Sequence, residues 1–363
     1  MRIIFMGTPE FAVSSLDILV QNGHQIVAVV TSVDSYGGRG GKQLLESAVK
    51  KYAVAHDIPV LQPTNLKSPA FLETLRSFNA DLQIVVAFRM LPEVVWNMPP
   101  LGTVNLHGSL LPKYRGAAPI NHAIINGETE TGVTSFKLKH EIDTGDVIMS
   151  RSINIEDTDD AGTLHDKLKD LGAQVVLETV NKIANGSVVF QMQSDDEATA
   201  APKIFHETCK IDFDRPIADV YNFIRGLSPY PAAWCIIDQK EVKILQASKN
   251  NEDDYLKPGK IVSDDKRFVK IKCKDGYISI LKGTWKIRVC HVKDIPLTFE
   301  GKATHNIANC LPSVLACYLF KSITIEDIRS GLQTFIAGSN TNPGRLNFFH
   351  FKHFTFLADF THN

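Results

Sequence analysis

The sequence predicts an α/β protein in which a mostly parallel, doubly wound sheet is followed by a small all-β barrel or sandwich and a partial α/β tail. Strand-like and helix-like segments alternate over the first half of the chain, a pattern typical of parallel strands joined by crossover helices. Short strands separated by Gly, Asp and Lys turns come later. The 363 residues, 44% hydrophobic and 22% charged, are enough for two or three domains.

The alternation begins with an apolar run at 2–6, typical of a strand, and apolar residues at helical spacing over 10–20. It continues in the same way along the chain. The predicted strands are 24–33, 81–88, 101–106 and 132–138, and the predicted helices are 42–55 and 163–184, the latter broken or bent near Gly172.

The second half begins after a polar, small-residue stretch that is typical of a linker. Its short strands are predicted at 242–245, 259–263, 268–273 and 277–281, and helical spacing returns over 303–335. We therefore expect a catalytic domain at 1–190, a linker at 191–203, a small β domain at 204–281 and a tail at 282–363.

Charge differs between the two halves. Residues 1–202 hold 16 Lys and Arg against 23 Asp and Glu, whereas residues 203–290 hold 17 against 12. A basic second domain favours a polyanionic partner, and chance variation of surface charge is the alternative.

The cysteine pattern indicates a reducing compartment. The six Cys include no C-x-x-C pair, which argues against a disulfide framework or a zinc site. No leader-like segment and no apolar stretch of about 18 residues is found. We expect a cytoplasmic monomer that needs no metal.

Three polar residues form the candidate site. Asn105 and His107 end a predicted strand two positions apart, so their side chains share a face at the edge where open α/β sheets bind ligands. Asp143 follows another predicted strand. An amide donor, a titratable ring and a carboxylate are what transfer of an acyl or formyl group to an amine requires. Ordinary, satisfied strand-end and turn residues are the alternative.

A glycine-rich loop carries Arg39 and Lys42. It is not a nucleotide P-loop, because Tyr36 stands where a Walker A motif needs Gly and Gln43 where it needs Ser or Thr. The loop could bring two cations to an anionic substrate or be an ordinary surface loop. The first turn, at 6–11, lacks the G-x-G-x-x-G of a dinucleotide site.

Lys270, Lys272 and Lys274 alternate with apolar residues along a predicted strand. Their ammonium groups would then share one face and could follow a phosphate backbone. A solvated outer face is the alternative.

Six segments of the chain form a distinctive set, namely 2–13 (RIIFMGTPEFAV), 85–92 (VVAFRMLP), 103–120 (TVNLHGSLLPKYRGAAPI), 130–133 (ETGV), 143–146 (DTGD) and 224–232 (IRGLSPYPA). In this order they resemble the methionyl-tRNA formyltransferase family over roughly 1–281. The resemblance implies a Rossmann-like formyltransferase domain, an OB-like tRNA-binding barrel, 10-formyltetrahydrofolate as formyl donor and the α-amine of methionyl-initiator tRNA as acceptor.

The resemblance also assigns residues. It implies catalytic roles for Asn105, His107 and Asp143, and tRNA contacts for the loop around Arg39 and Lys42, without a metal. The implied folate-contacting residues are Phe88, Met90, Leu91, Pro92, Ser109, Leu110, Leu111 and Pro112. A formyltransferase acting on glycinamide ribonucleotide or an amino sugar, and a folate-binding but inactive chimera, are the rival functions.

After Leu281 the sequence departs from this family's pattern, which leaves the barrel incomplete. The tail resembles part of cyanophycin synthetase and the Mur ligases at 305–309 (HNIAN), 343–345 (PGR) and 359–363 (DFTHN). It would hold only the beginning of such a ligase domain, without a P-loop, so we expect a fused fragment and not an active ligase.

Overall fold

The structure is a computed structural model that describes residues 1–37, 43–237, 239–252, 254–264, 269–280, 347–351 and 354–358. It divides into two units, Met1–Thr284 and Trp285–Asn363.

The first part of the larger unit contains eleven described strands and six described α-helices. The strands are β1 (Arg2–Gly7), β2 (Gln25–Val30), β3 (Ser35–Gly37), β4 (Gln43–Leu45), β5 (Val60–Leu61), β6 (Leu82–Val86), β7 (Thr103–His107), β8 (Arg115–Gly116), β9 (Glu130–Lys137), β10 (Val147–Asn154) and β11 (Ala200–Ala201). The helices are α1 (Glu10–Gln21), α2 (Ala48–Ala55), α3 (Pro69–Ser77), α4 (Glu93–Trp96), α5 (Pro119–Ile125) and α6 (Ala161–Ala184).

Seven of these strands form one sheet in the order β10-β9-β7-β6-β1-β2-β5. The five strands from β7 to β5 are parallel, and β9 and β10 are antiparallel at one edge. The predicted mostly parallel α/β sheet is confirmed. The antiparallel edge includes β10, a strand that the sequence pattern did not reveal.

Both faces of the sheet are buried, as a parallel sheet requires. In β1, Ile3 and Phe5 pack on the face that carries α1 and α6, whereas Ile4 and Met6 pack on the face that carries α3. This alternation explains why β1 is apolar at every position instead of every second one.

Helix α6 fixes the position of β7. It is continuous from Ala161 to Ala184, so the predicted break near Gly172 is wrong. A Cβ at Gly172 would lie 2.7 Å from Leu106 Cδ2, and the glycine therefore allows α6 to pack directly on β7. The residue is a packing contact and not a helix break.

Helix α2 is shorter than predicted at its start. Residues 43–45 form β4, which pairs with β3 as a hairpin. The helix begins only after Ser47, whose Oγ accepts a hydrogen bond from Lys50 N at 3.0 Å. This N-cap ends the extended segment and starts the helix.

The second part of the larger unit contains one α-helix and six strands among its described residues. They are α7 (Ile217–Leu227), β12 (Ala233–Ile237), β13 (Lys240–Ile244), β14 (Ser248–Asn250), β15 (Ile261–Ser263), β16 (Val269–Lys272) and β17 (Tyr277–Ile280). β12 pairs with β13, and the other strands form an antiparallel sheet in the order β14-β17-β16-β15. The sequence pattern does not predict α7, whose apolar face lies in this domain's core.

Helix α7 joins the two parts through Arg225, which is only 9% exposed. Its Nη1 donates to the main-chain oxygens of Glu156 and Asp159, both at 3.0 Å. Asn121 of α5 donates in turn to the Gly226 oxygen at 2.7 Å. The small domain is therefore attached by buried, directional contacts.

In the unit Trp285–Asn363, the described residues form one antiparallel hairpin, β18 (Asn347–Phe351) with β19 (Phe354–Ala358). The helical segment predicted at 303–335 lies outside the described residues. Over the residues that are described, no helix combines the length and apolarity that crossing a membrane requires.

Candidate active site

Strand β7 places two of the three predicted catalytic residues. It is hydrogen-bonded on both sides, with Asn105 opposite Val85 of β6 and His107 opposite Thr134 of β9. His107 is 6% exposed and Asn105 is half-buried. Their positions in one central strand put both side chains on the same face, as predicted.

The hydrogen bonding of His107 determines which ring nitrogen carries the proton. Its Nε2 lies 2.8 Å from the main-chain oxygen of Tyr114, which can only accept, so Nε2 is the protonated nitrogen. Its Nδ1 lies 3.7 Å from Oδ2 of Asp143, beyond hydrogen-bond length. In the neutral ring, Nδ1 is therefore a free base beside a carboxylate.

Asp143 reaches His107 through the return loop, residues 138–146, which joins β9 to β10. β9 is antiparallel to β7, so its end at Lys137 lies beside Val104, away from His107. The chain returns with Asp143 in the left-handed region at φ 55°. Gly116 N then donates to Asp143 Oδ2 at 2.9 Å, which fixes the carboxylate beside the ring.

The return loop depends on Gly145. A Cβ at this position would lie 1.7 Å from the Lys137 main-chain oxygen, which is too close for any side chain. This close approach explains the glycine of the Asp-Thr-Gly motif.

The segment predicted as a linker is part of the site. Gln193 Nε2 donates to the main-chain oxygens of Asp143 at 2.9 Å and Gly145 at 2.7 Å. Thr199 Oγ1 accepts from Tyr114 N at 2.8 Å, and β11 pairs with β8. The sequence pattern does not reveal these residues, because their polar, small composition is also that of a plain connector.

Tyr114 is buried next to His107. Its hydroxyl donates to Glu128 Oε1 at 2.7 Å and accepts from Asn126 Nδ2 at 3.3 Å. Burial, together with the Glu128 carboxylate, raises the pKa of Tyr114 to about 12. The phenol therefore stays protonated and helps to hold the carbonyl that contacts His107.

The two predicted folate segments leave neighbouring strands. Phe88, Met90, Leu91 and Pro92 follow β6, and residues 109–112 follow β7, which is parallel to β6. Both segments therefore begin at the same edge of the sheet as His107. Met90 is 73% exposed, whereas Leu91 is buried in the core and Phe88 packs against it.

The segment Ser109, Leu110, Leu111 and Pro112 is attached to β9. Thr134 Oγ1 donates to the Ser109 oxygen at 2.8 Å and accepts from Leu111 N at 3.1 Å. Ser109 is fully buried, with its hydroxyl donating to the Lys113 oxygen at 2.6 Å. Its side chain shapes the loop from within.

The predicted tRNA-contacting lysines of the second domain differ in exposure. Lys270 Nζ lies 2.5 Å from Glu252 Oε2 and 4.7 Å from the Tyr277 ring centroid. Lys272 is 2% exposed and also lies over Tyr277, whereas Lys274 is exposed. The structure therefore does not form one exposed row from these three side chains. Arg39 and Lys42 lie outside the described residues.

A basic cavity lies between the two parts of the larger unit. It measures about 370 Å³ and is lined by Ala117 and Ala118, which follow the β8 strand, and by Lys203, His206 and Lys243 of the other part. Tyr230, 82% exposed, is at its edge. Among the described residues, no group of three His, Cys, Asp or Glu side chains could hold a metal ion.

Comparison with known proteins defines the class. The family profile described as "Formyl transferase" matches residues 1–180, and "Formyl transferase, C-terminal domain" matches residues 203–294. The second match continues past Leu281, where the motif resemblance ends.

Curated relatives define the family within this class. The methionyl-tRNA formyltransferase of Bacteroides fragilis is 53% identical over 290 residues, covering 77% of this chain and 89% of the relative. That of Phocaeicola vulgatus is 53% identical over 321 residues, covering 86% and 95%. The chain belongs to the methionyl-tRNA formyltransferase family.

Solved structures share the fold at lower identity. The sugar 3N-formyl transferase WlaRD, whose crystals contained dTDP and 5-N-formyl-THF, aligns with a TM-score of 0.59 and 21% identity, covering 79% of this chain and 99% of that one. At this identity the likeness concerns the fold alone.

Proposed function

We propose that this chain transfers the formyl group of 10-formyltetrahydrofolate to the α-amine of methionyl-initiator tRNA. The observation that carries the proposal is the preformed arrangement of Asn105, His107 and Asp143 at the end of β7, in a chain 53% identical to methionyl-tRNA formyltransferases. Folate serves as the formyl-donor substrate.

The tautomer of His107 suggests the order of proton movements. The neutral amine attacks the formyl carbon, and the C=O electron pair moves onto oxygen, where the Asn105 amide donates a hydrogen bond. Nδ1 of His107 accepts the proton that the new ammonium loses, and Asp143 stabilises the resulting imidazolium. The C–N bond to folate then breaks, and the leaving nitrogen takes the proton back from His107.

The folate segments support a donor site beside these groups. Phe88, Met90, Leu91 and Pro92, together with Ser109 to Pro112, line the two neighbouring strand ends. Strand ends of an open α/β sheet are where its ligands bind. Ser109 contributes by fixing the loop, since its hydroxyl is used internally.

A polyanionic acceptor is supported by the basic cavity that Ala117 and Ala118 line, directly after Gly116. Lys203 and Lys243 supply positive charge there, and Tyr230 supplies an exposed ring. Arg39 and Lys42 remain proposed tRNA contacts. Within the stripe of Lys270, Lys272 and Lys274, only Lys274 can meet a phosphate without losing contacts to Glu252 or Tyr277.

The tail is a separate matter. We propose that the part of the tail beyond the family match, residues 295–363, is related to cyanophycin synthetase and the Mur ligases, and that it adds no ligation to the formyl transfer. An ATP-dependent ligation assay on the purified full chain, whose intact mass confirms that the tail is present, tests the second part of this proposal: measurable ligation would contradict it.

The test of the main proposal is a panel of acceptors supplied with 10-formyltetrahydrofolate. We expect formylation of methionyl-initiator tRNA, and little of glycinamide ribonucleotide or a nucleotide-linked amino sugar. Preferential formylation of either small amine would contradict the proposal. Binding of folate without any transfer would identify the chain as an inactive chimera.

A further inference from the structure

The side-chain amide of Gln193 joins two parts of the candidate site. Its Nε2 donates to the Asp143 and Gly145 oxygens, and its Oε1 accepts from Arg115 Nε at 3.1 Å and Nη2 at 2.9 Å. Both amide hydrogens and both acceptor directions are thereby used. We propose that Gln193 is a positioning residue that sets the Asp143 carboxylate against His107, an inference that rests on the proposed function.

Asp143 needs such support because of its backbone. A non-glycine residue in the left-handed region costs free energy, so surrounding contacts must hold it there. Gln193 binds the carbonyl oxygen of this very residue and that of Gly145, two positions on. The two hydrogen bonds clamp the return loop on either side of Thr144.

The other end of Gln193 holds the partner of the carboxylate. Arg115, which Gln193 binds through both Nε and Nη2, directly precedes Gly116, whose N–H donates to Asp143 Oδ2. The side-chain amide of Gln193 therefore fixes the main chain of Asp143. It also fixes Arg115, the neighbour of the Gly116 N–H that orients the Asp143 carboxylate. His107 lies 3.7 Å from that same oxygen.

Gln191 offers a matched control. It lies two positions earlier in the same segment, is exposed, and is attached to β10 through main-chain hydrogen bonds with Val147. A Gln→Leu change at either position replaces the same side-chain amide with an apolar group of similar size. Only the change at 193 removes the bonds to Asp143, Gly145 and Arg115.

The experiment measures formylation of methionyl-initiator tRNA by the full chain and three variants. We expect Gln193→Leu to lower kcat about 100-fold, the size of effect that a misplacement of about 1 Å produces, with KM for both substrates unchanged. Gln193→Glu keeps the size and the Arg115 contacts but places an oxygen against the two carbonyls. It should lower kcat as well, while Gln191→Leu should not.

Thermal unfolding of each variant separates positioning from folding. Gln193→Glu with a wild-type unfolding temperature and a lowered kcat supports the inference. A kcat equal to that of Gln191→Leu, or a changed KM with unchanged kcat, overturns it. Turnover by the unaltered chain tests the proposed function alone. Failure of the proposed function therefore shows as no turnover by the unaltered chain, whereas failure of the Gln193 inference shows only in the variants.

Discussion

The polar groups at the end of β7 and the lysines of β16 both lie on strands, but their surroundings differ. His107 and Asp143 are bound by main-chain groups of Tyr114 and Gly116, which lie in the segment after β7. Lys270 and Lys272 are bound by side chains of their own domain, namely Glu252 and Tyr277. The first arrangement fixes the His107 ring and the Asp143 carboxylate through main-chain contacts, whereas the second pairs cations with side chains of the small domain.

Under the proposed function, this difference places the chemistry at the end of β7 and leaves acceptor binding to exposed cations elsewhere. A carboxylate fixed by a main-chain N–H costs no reorganisation at the moment of reaction. A lysine that is already paired must give up its partner before it can bind a phosphate, which offsets what the new contact contributes. Variants in each region should therefore have different effects: those at the end of β7 on turnover, and those at exposed cations on tRNA binding.

The largest expected effect is that of His107→Ala. Loss of the general base should lower kcat about 10²- to 10⁴-fold while folate binding is retained. Steady-state formylation of methionyl-initiator tRNA measures it. His122→Ala is the control, since His122 is half-buried and the hydrogen-bond partner of its ring is the Pro202 oxygen. If His107→Ala turned over as fast as this control, the polar groups at the end of β7 would have no part in the reaction.

Arg225→Ala tests the attachment of the small domain, which carries the β16 lysines, to the part that carries β7. It leaves the Glu156 and Asp159 oxygens without their buried donor, so we expect the free energy of unfolding to fall by about 2 kcal/mol. Urea unfolding measures it. Arg215→Ala, which removes an exposed pair with Asp219, should cost about 0.5 kcal/mol. Equal losses in the two variants would show that the buried contacts of α7 contribute nothing special.

How much of this could be predicted from the sequence depends on what holds each residue. Asn105 and His107 were predictable because a strand fixes side-chain direction by position alone. Gln193 was not, because its role comes from hydrogen bonds to residues about fifty positions away, which leave no periodic trace. The burial of Lys272 could not be predicted either. An alternating pattern shows which residues share a face of the strand, but not which other residues pack on that face.

A smaller effect concerns pH. The pKa of Tyr114 is raised from about 10 to about 12, so the folded chain keeps a proton that the unfolded chain has lost within that window. The free energy of unfolding should therefore decrease as the pH rises from about 10 to about 12. Tyr114→Phe should make that decrease shallower, as measured by urea unfolding across the window. Identical slopes in the two proteins would contradict the assignment.

The smallest effect is expected within the lysine stripe. Lys274→Ala should reduce the slope of log affinity for tRNA against log salt by about one, because one exposed phosphate contact is lost. Lys272→Met should leave the slope unchanged, since that ammonium is buried over Tyr277. Binding titrations over a range of salt concentrations measure both slopes. The reverse order would mean that the packing of Lys272 rearranges on binding.

The division of labour is tested most directly by one ratio, kcat/KM for methionyl-initiator tRNA over kcat/KM for methionyl-adenosine, measured with the unaltered chain. Both acceptors present the same amine to Asn105, His107 and Asp143, but only the tRNA reaches cations outside that cluster. We predict a large ratio at low salt that falls as salt is added. A ratio near one, independent of salt, would contradict the account.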